Sequence, residues 1–190
     1  MRGLAVKIFS RECASGGSAA SLTALAAARH WALGQLGIDV RKQGVCGIHA
    51  KLRIYASTQV HSCVQKAVEL LGLGSESIGW IRIDEDFRLS LDELRQAIRE
   101  DRQQGWHPFC IVANAGSVHT GAIDPLDALA AVALESNLWL HVDGAYGAGA
   151  VLDSNCKALF AGIERADSIA SRSSQMVIGS GGMWVRFSAG

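Results

Sequence analysis

The sequence predicts a three-layer α/β fold, in which a mostly parallel β-sheet lies between two layers of helices. Segments with strand and helix patterns alternate along the 190 residues, which is typical of this class. Residues 109–113 form a continuous apolar run, as expected for a strand that is buried on both faces, and residues 138–142 also have the pattern of a buried strand. Apolar residues make up 49% of the chain and charged residues 19%, which suits a packed core and not a disordered chain. Parallel strands joined by helices require right-handed crossovers.

The first part of the chain is predicted to alternate two helices with two strands. Residues 18–28 are rich in strong helix formers, and Ser18 is placed to cap the helix start. Residues 52–56 have the composition of a short strand, and residues 61–71 carry apolar side chains at helical spacing. Residues 78–83 alternate as in a strand.

The second part continues the alternation. Ser90 and Glu93 form a capping-box pattern that predicts the start of a helix. Asp124 and Pro125 supply an N-cap and a first-turn proline for a helix that runs to about residue 135. The two buried strands described above lie on either side of this helix. A helix over residues 157–164 and a short strand near residues 167–170 complete the predicted elements.

Composition and charge exclude several classes of function. The net charge is zero, with 18 Lys and Arg against 18 Asp and Glu, whereas nucleic acids and acidic membranes attract basic surfaces. No apolar run reaches the roughly 18 residues of a membrane span, and the first residues make a poor signal peptide. The five cysteines include no C-x-x-C pair, which predicts reduced thiols in a cytoplasmic protein. Cys63, near His61, is either a catalytic thiol or a packing residue, and packing is favoured.

A turn rich in glycine and serine precedes the first helix. Glycine allows close backbone approach, the first-turn N–H groups of a helix are unpaired, and Ser18 adds a hydroxyl, so residues 15–18 could hold a phosphate group. The alternative is a flexible turn with a serine cap. The pattern matches neither a dinucleotide fingerprint nor a nucleoside-triphosphate loop.

Asp143 follows an apolar strand, where a carboxylate is costly unless it meets a cation or several donors. It either caps the next segment or serves as the counter-charge of a protonated ring nitrogen. His61 could stack on a flat ligand, cap its helix or bind a metal; a metal is the least favoured, since no second ligand lies at a suitable spacing. His141 fits a hydrogen-bonded core residue.

Five segments together resemble one enzyme family. They occur in order along residues 14–170 and read SGGSAASLTALAAARH, IYASTQVHSCVQKAVELLGLG, ANAGSVHTGAIDPL, LWLHVDGAYGAGAVL and GIERADSIA. These segments are similar to those of the group II amino-acid decarboxylases that depend on pyridoxal phosphate, which include glutamate, aromatic L-amino-acid and diaminobutyrate decarboxylases. The resemblance implies the large domain of fold type I pyridoxal-phosphate enzymes, an L-amino acid substrate and a homodimer.

The resemblance also implies roles for six residues. By this similarity Gly17 and Ser18 belong to the phosphate-binding turn, and His61 stacks on the pyridine ring. Asp143 pairs with the pyridinium nitrogen, and Ala145 packs near the ring. The last of the six, Ser117, lies in a loop that contributes a hydroxyl near the cofactor, although the two residues after it depart from the usual pattern. No metal is implied. His61 and Asp143 are the expected catalytic residues.

The chain lacks the lysine that the family uses. In these enzymes a His-Lys-Trp motif carries the lysine that forms a Schiff base with the cofactor, and here the corresponding positions are Ser174 and Gln175. The last lysine of the chain is Lys157. Arg172 cannot replace the missing lysine, because a guanidinium stays protonated.

The genetic code suggests an origin for this difference. Read one nucleotide later, the codons of Met176 and Val177 force a tryptophan preceded by lysine or arginine, and those of Met183 and Trp184 force Cys-Gly. The forced residues have the spacing of the family motifs. We therefore expect a frameshift within residues 168–172 and a non-native tail over residues 172–190. The alternative is a divergent but genuine C-terminus.

The sequence thus predicts three regions: residues 1–13, which do not match the family, a partial cofactor-binding domain over residues 14–171, and the tail over 172–190. The expected chemistry is decarboxylation of an L-amino acid, with this polypeptide inactive because the lysine is missing. A non-catalytic remnant that at most binds pyridoxal phosphate, or another enzyme of the same fold type, are the alternatives.

Overall fold

A computed structural model describes residues 12–13, 16–171 and 175–178, with side chains for residues 16–171. Its described strands form one seven-stranded sheet in the order β1-β7-β6-β5-β4-β2-β3. The strands are β1 (Glu12–Cys13), β2 (Leu52–Ser57), β3 (Ile78–Ile81), β4 (His107–Asn114), β5 (Trp139–Gly144), β6 (Ser168–Ser171) and β7 (Gln175–Ile178).

Helices connect the strands. The α-helices are α1 (Gly17–Gln35), α2 (Val40–Gln43), α3 (Cys63–Leu70), α4 (Leu91–Gln103) and α5 (Leu126–Ser136). Four short 3₁₀ turns span Ser75–Ser77, Ala148–Leu152, Lys157–Phe160 and Ile163–Arg165. Within the described residues no helix is both long and apolar enough to cross a membrane.

Five neighbouring strands of the sheet, β3, β2, β4, β5 and β6, run parallel. β7 pairs antiparallel with β6, and β1 pairs antiparallel with β7. The predicted fold class, a mostly parallel sheet with flanking helices, is confirmed. The carboxyl ends of the parallel strands therefore meet along one edge of the sheet, where ligands of such folds bind.

The hydrophobic core of the described residues has two main parts, one on each face of the sheet. One part joins α4 and α5 to the sheet through residues such as Leu94, Leu129 and Ile111. The other joins α1 and α3 to the opposite face and includes Leu25 and Val64. The central strands are buried on both sides for this reason, which explains their unbroken apolar runs.

The predicted helix over residues 157–164 is wrong. The segment forms two 3₁₀ turns, Lys157–Phe160 and Ile163–Arg165, with Gly162 between them. The backbone of Gly162 has φ +93°, and a Cβ atom there would lie 2.4 Å from the backbone of Asp127. A continuous helix cannot accommodate this left-handed conformation, so Gly162 separates the two turns.

Two predicted helix caps, Ser18 and Asp124, are wrong, and a third, Ser90, lies at the predicted N-cap without the expected side-chain bond. Ser18 lies inside α1, whose N-cap is Gly16. Ser90 occupies the N-cap of α4 but makes no side-chain cap bond, and Glu93 instead forms an ion pair with Arg82. The carboxylate of Asp124 does not cap α5, because it bonds to backbone groups elsewhere in the chain.

The thiols of Cys46, Cys63, Cys110 and Cys156 are unpaired, in agreement with the expectation of reduced cysteines. The side chain of Cys13 lies outside the described residues, as do the predicted non-matching residues 1–11. Of the predicted tail, residues 172–174 and 179–190 lie outside the described part of the chain.

Candidate functional site

Polar side chains line the carboxyl ends of the three central strands. Asn114, at the end of β4, pairs in register with Asp143 on β5. The side-chain amide of Asn114 donates to the hydroxyl of Ser57, at the end of β2, over 3.2 Å. All three side chains are buried. The sheet therefore places a row of polar groups where parallel α/β folds bind their ligands.

Asp143 is a buried carboxylate with no cationic partner among the described side chains. The residue is 7% exposed, and its Oδ1 accepts a hydrogen bond from the backbone N–H of Ala145 over 3.1 Å. Among the side chains described over residues 16–171, no lysine or arginine forms an ion pair with it. Because an unpaired buried charge is costly, this carboxylate is suited to a cationic group of a ligand.

The N-terminus of α1 adjoins the turn that follows Asp143. A Cβ atom on Gly17 would lie 3.0 Å from the Cβ of Ala145, so the helix start and this turn approach closely. Gly16 has φ 98° and ψ 165°, and no side chain caps the helix. The first-turn N–H groups of α1 and the exposed Ser18 therefore remain available to an anion such as a phosphate.

His61 precedes α3 and caps it. Its ring Nδ1 accepts a hydrogen bond from the backbone N–H of Cys63 over 3.1 Å, which leaves the ring proton on Nε2. The residue is exposed, so its ring has room to contact a ligand. Within the described residues no cluster of His, Cys, Asp and Glu could hold a metal ion. Capping and stacking are compatible, because capping uses only one edge of the ring.

Cys63 links α3 to the other site elements. The buried thiol lies beside the side chains of Ser18 and Ser21, within the electrostatic field of Asp143. Burial raises the pKa of the Cys63 thiol, and the charge of Asp143 raises it further. A thiol with a raised pKa is a poor nucleophile, which supports packing over catalysis. The contacts of Cys63 also show that Ser18 and Asp143 face one region.

Ser117 is held by its own loop. Its hydroxyl lies 2.6 Å from the hydroxyl of Thr120 and accepts from the backbone N–H of Thr120 over 3.1 Å. The same loop packs against the turn after Asp143, since a Cβ atom on Gly147 would lie 2.4 Å from the carbonyl oxygen of Ala115. The structure thus brings the loop of Ser117 next to the site, with its hydroxyl already engaged.

Two residues of this region were not predicted from the sequence. Asp124 is 2% exposed, and its carboxylate accepts backbone hydrogen bonds from Leu89 over 2.8 Å and from Asn114 over 2.6 Å. Burial raises the pKa of Asp124, and the two backbone donors oppose the shift. Asp124 therefore fixes the end of β4, including Asn114. The polar residue at the end of an apolar strand was the signal that could have identified Asn114.

Comparison with known proteins places this arrangement in a family. The sequence profile of the pyridoxal-dependent decarboxylase conserved domain matches residues 11–188. The chain belongs to this decarboxylase family. The aromatic-L-amino-acid decarboxylase of Bacillus atrophaeus is 41% identical over 155 residues, which cover 82% of this chain and 30% of that protein. The family resemblance predicted from the sequence is confirmed.

Solved structures of pyridoxal-dependent decarboxylases share the fold. The crystal structure of mouse CSAD superposes with a TM-score of 0.82 at 29% identity, covering 90% of this chain and 37% of that chain. Rice TDC, solved with PLP and tryptamine, gives a TM-score of 0.72 at 36% identity, covering 80% of this chain and 30% of that chain. The chain thus spans about a third of the length of these relatives.

The residues present fit the cofactor of the family. Pyridoxal phosphate carries a phosphate group and a ring nitrogen that can be protonated. The uncapped start of α1 offers donors for an anion, and buried Asp143 offers an unpaired negative charge. The close contact between Gly17 and Ala145 connects these two features. The donor set therefore matches both ends of the cofactor.

Proposed function

We propose that this chain is the cofactor-binding part of an amino-acid decarboxylase that uses pyridoxal phosphate. One observation carries the proposal: buried Asp143 has no cationic partner among the described side chains. The turn that follows it packs, through Ala145, against the uncapped start of α1. Family membership supports the same chemistry. The proposed substrate is an L-amino acid, as the names of the related decarboxylases suggest.

In this proposal the start of α1 binds the phosphate. The backbone N–H groups of Gly17 and Ser18 point toward the anion, the hydroxyl of Ser18 adds a donor, and the helix dipole favours negative charge at this end. Gly17 is required here because a larger side chain would meet Ala145. The methyl group of Ala145 forms part of the surface against the ring.

Three further residues complete the proposed site. His61 covers one face of the ring, and the bond from Cys63 to its Nδ1 fixes the orientation of the imidazole. Ser117 supports the loop beside the site. Asp143 accepts a hydrogen bond from the protonated ring nitrogen and keeps that nitrogen charged. When bound, pyridoxal phosphate supplies an electron sink for the bonding pair that is released as carbon dioxide leaves.

The missing lysine limits the proposed activity of this polypeptide. Position 174 lies outside the described residues, as does the side chain of Gln175. We propose that the chain binds pyridoxal phosphate without the usual covalent link and does not decarboxylate amino acids at an enzymic rate. Release of carbon dioxide from an L-amino acid at a normal enzymic rate would contradict this second part.

A binding experiment tests the proposed site. Pyridoxal phosphate is titrated into the purified chain, and the melting temperature and cofactor absorbance are measured. A ligand that binds the folded state raises the melting temperature, and we expect Asp143→Asn to remove most of this rise. Glu85→Gln, an exposed carboxylate in the loop after β3, is the matched control. No rise with the unmodified chain, or equal rises in all three proteins, would overturn the proposal.

The origin of the tail is tested separately. Sequencing of the nucleic acid that encodes residues 168–190 shows whether a one-nucleotide shift restores His-Lys-Trp. If it does, the frameshift hypothesis is supported, and the corrected chain is expected to bind the cofactor covalently. Codons that cannot encode these residues in any frame would leave a divergent C-terminus and a non-catalytic remnant.

We also propose that the whole protein is a cytoplasmic homodimer that acts in amino-acid and carboxylic-acid metabolism. Family membership supports the dimer, and the unpaired thiols of Cys46, Cys63, Cys110 and Cys156 agree with a reducing compartment. Light scattering coupled to gel filtration tests the dimer. A mass that corresponds to one chain at all concentrations would contradict the dimer for this polypeptide.

A further inference from the structure

His141 is a buried histidine close to Asp143 with one unused ring nitrogen. It lies two residues before Asp143 on β5, so both side chains point to the same face of the sheet. His141 is 0% exposed, and its Nδ1 lies 2.9 Å from the hydroxyl oxygen of Ser168. Its Nε2 is buried without a hydrogen-bond partner in the described part of the chain.

The neighbours of His141 favour one position for its ring proton. The indole Nε1–H of Trp139 donates to the hydroxyl oxygen of Ser168 over 2.9 Å. An indole can only donate, so the hydroxyl hydrogen of Ser168 is free to point at Nδ1 of His141. We assign Nδ1 as the acceptor, which leaves the proton on Nε2. The ring of Trp139 packs against Trp31 of α1, with ring centroids 6.0 Å apart, and this contact holds the chain of bonds in place.

The charge of His141 follows from its burial. Burial is the largest effect and lowers the pKa of His141 from its ordinary value, while the negative charge of Asp143 and the backbone of Ser168 act in the opposite direction. The imidazole is therefore neutral near pH 7, and it does not compete as a cation for Asp143. A neutral N–H group can still donate a hydrogen bond to a carboxylate, directly or through one buried water.

We propose that His141 is a positioning residue for Asp143, with its Nε2–H group donating through one buried water to the Asp143 carboxylate and holding it toward the ligand. Ser168, which accepts a hydrogen bond from Trp139, fixes the tautomer of His141 by donating to its Nδ1. This role for His141 adds a residue to the proposed cofactor site, and its functional meaning rests on the proposed function. The hydrogen-bonded chain itself can be tested without any cofactor.

The first test uses the ligand-free chain. Two-dimensional ¹H–¹⁵N spectra of a histidine-labelled sample show which ring nitrogen of His141 carries the proton. We expect protonation at Nε2 at pH 7, and a clear change in the Nε2 shift when Asp143→Asn is introduced. Signals of His107, at the other end of the sheet, should stay unchanged. A proton on Nδ1, or an Nε2 chemical shift that is the same with and without Asp143→Asn, would overturn the proposal.

The second test measures cofactor binding by fluorescence. His141→Leu removes the donor, and we expect the dissociation constant of pyridoxal phosphate to rise about tenfold, as for loss of a hydrogen bond to a charged group. His141→Gln keeps an N–H group near the Nε2 position and should restore most of the affinity. Equal affinities for both variants would instead indicate packing alone and would contradict the proposal. His49→Gln, an exposed residue in the segment before β2, is the control.

The two tests separate the two hypotheses. If the unmodified chain does not bind pyridoxal phosphate, the proposed function fails, while the spectra still decide whether His141 donates to Asp143. If His141→Leu does not fold, Ser168→Ala replaces it, because loss of the hydroxyl removes the donor to Nδ1. We expect the Nε2-protonated form to lose population in Ser168→Ala. An unchanged tautomer would show that Ser168 does not fix the ring.

Discussion

Buried aspartates show how single residues divide between structure and function. The carboxylate of Asp101 accepts two side-chain hydrogen bonds, one from the guanidinium of Arg53 over 2.9 Å and one from the hydroxyl of Tyr55 over 2.9 Å. Asp124 is satisfied by two backbone N–H groups. Asp143, equally buried, has one backbone donor and no ion pair in the described chain. Among the described residues, the carboxylate with the fewest partners of the three is the one in the candidate site, as expected when a ligand completes the interactions.

Asp124→Asn should destabilise the fold. An amide offers one acceptor oxygen where the carboxylate uses two, so the backbone N–H of Leu89 or of Asn114 loses its partner. We expect the free energy of unfolding, measured by urea denaturation, to fall by about 1–3 kcal/mol. The exposed Glu85→Gln variant should change it by less than about 0.5 kcal/mol. Equal effects of the two variants would show that the Asp124 bonds do not stabilise the fold.

His141 should make the fold sensitive to mild acid. Burial lowers its pKa in the folded state, so below about pH 6.5 the unfolded chain binds a proton that the folded chain does not. The free energy of unfolding therefore falls as the pH decreases, by up to about 1.4 kcal/mol per pH unit from this group. Urea denaturation between pH 5 and pH 8 measures the slope. The slope should flatten in His141→Gln and persist in His119→Gln.

At the scale of elements, the start of α1 depends on backbone conformation more than on a side-chain cap. The sequence suggested a serine cap, yet the helix begins at Gly17 after a glycine with φ 98° and ψ 165°. This region of the Ramachandran map is essentially restricted to glycine. The turn leaves the helix N-terminus uncapped next to Ala145. Local sequence located the helix, and the missing cap was decided by the proximity of the turn after β5.

Two alanine substitutions at the ends of the same helix should have opposite effects. Gly16→Ala introduces strain at a positive φ and should lower the free energy of unfolding by about 1–3 kcal/mol. Gly34→Ala lies within α1, with no atom within 4 Å of the added Cβ, and should raise it by about 0.5–1 kcal/mol. Thermal or urea denaturation of both variants gives the comparison. A stabilising Gly16→Ala would contradict the described turn.

At the scale of the whole molecule, the described surface combines neutral charge with exposed apolar side chains. The net charge is zero at pH 7, and Leu70 and Leu152 are 76% and 72% exposed. Charge repulsion is then weakest near neutral pH, where apolar contacts between copies are least opposed.

Solubility should therefore have a minimum near pH 7. We expect static light scattering of the purified chain to peak near this pH and to fall toward pH 8.5, as the net charge becomes negative. Added salt should weaken the benefit of the higher pH, because it screens the repulsion. Scattering that is independent of pH would show that charge does not control association.

The sequence by itself determined the fold class, most of the strands and the identity of Asp143 as a candidate charge. Strand periodicity, buried apolar runs and the family motifs are local signals. They can be read from short segments without knowledge of how the chain folds. The tertiary structure decided the partners: Asp124 joins the end of β4 to the segment before α4, Gly17 meets Ala145, and one ring nitrogen of His141 has no partner in the described chain. Such contacts join residues far apart in sequence, so they arise only when the strands are aligned and their carboxyl ends share one edge.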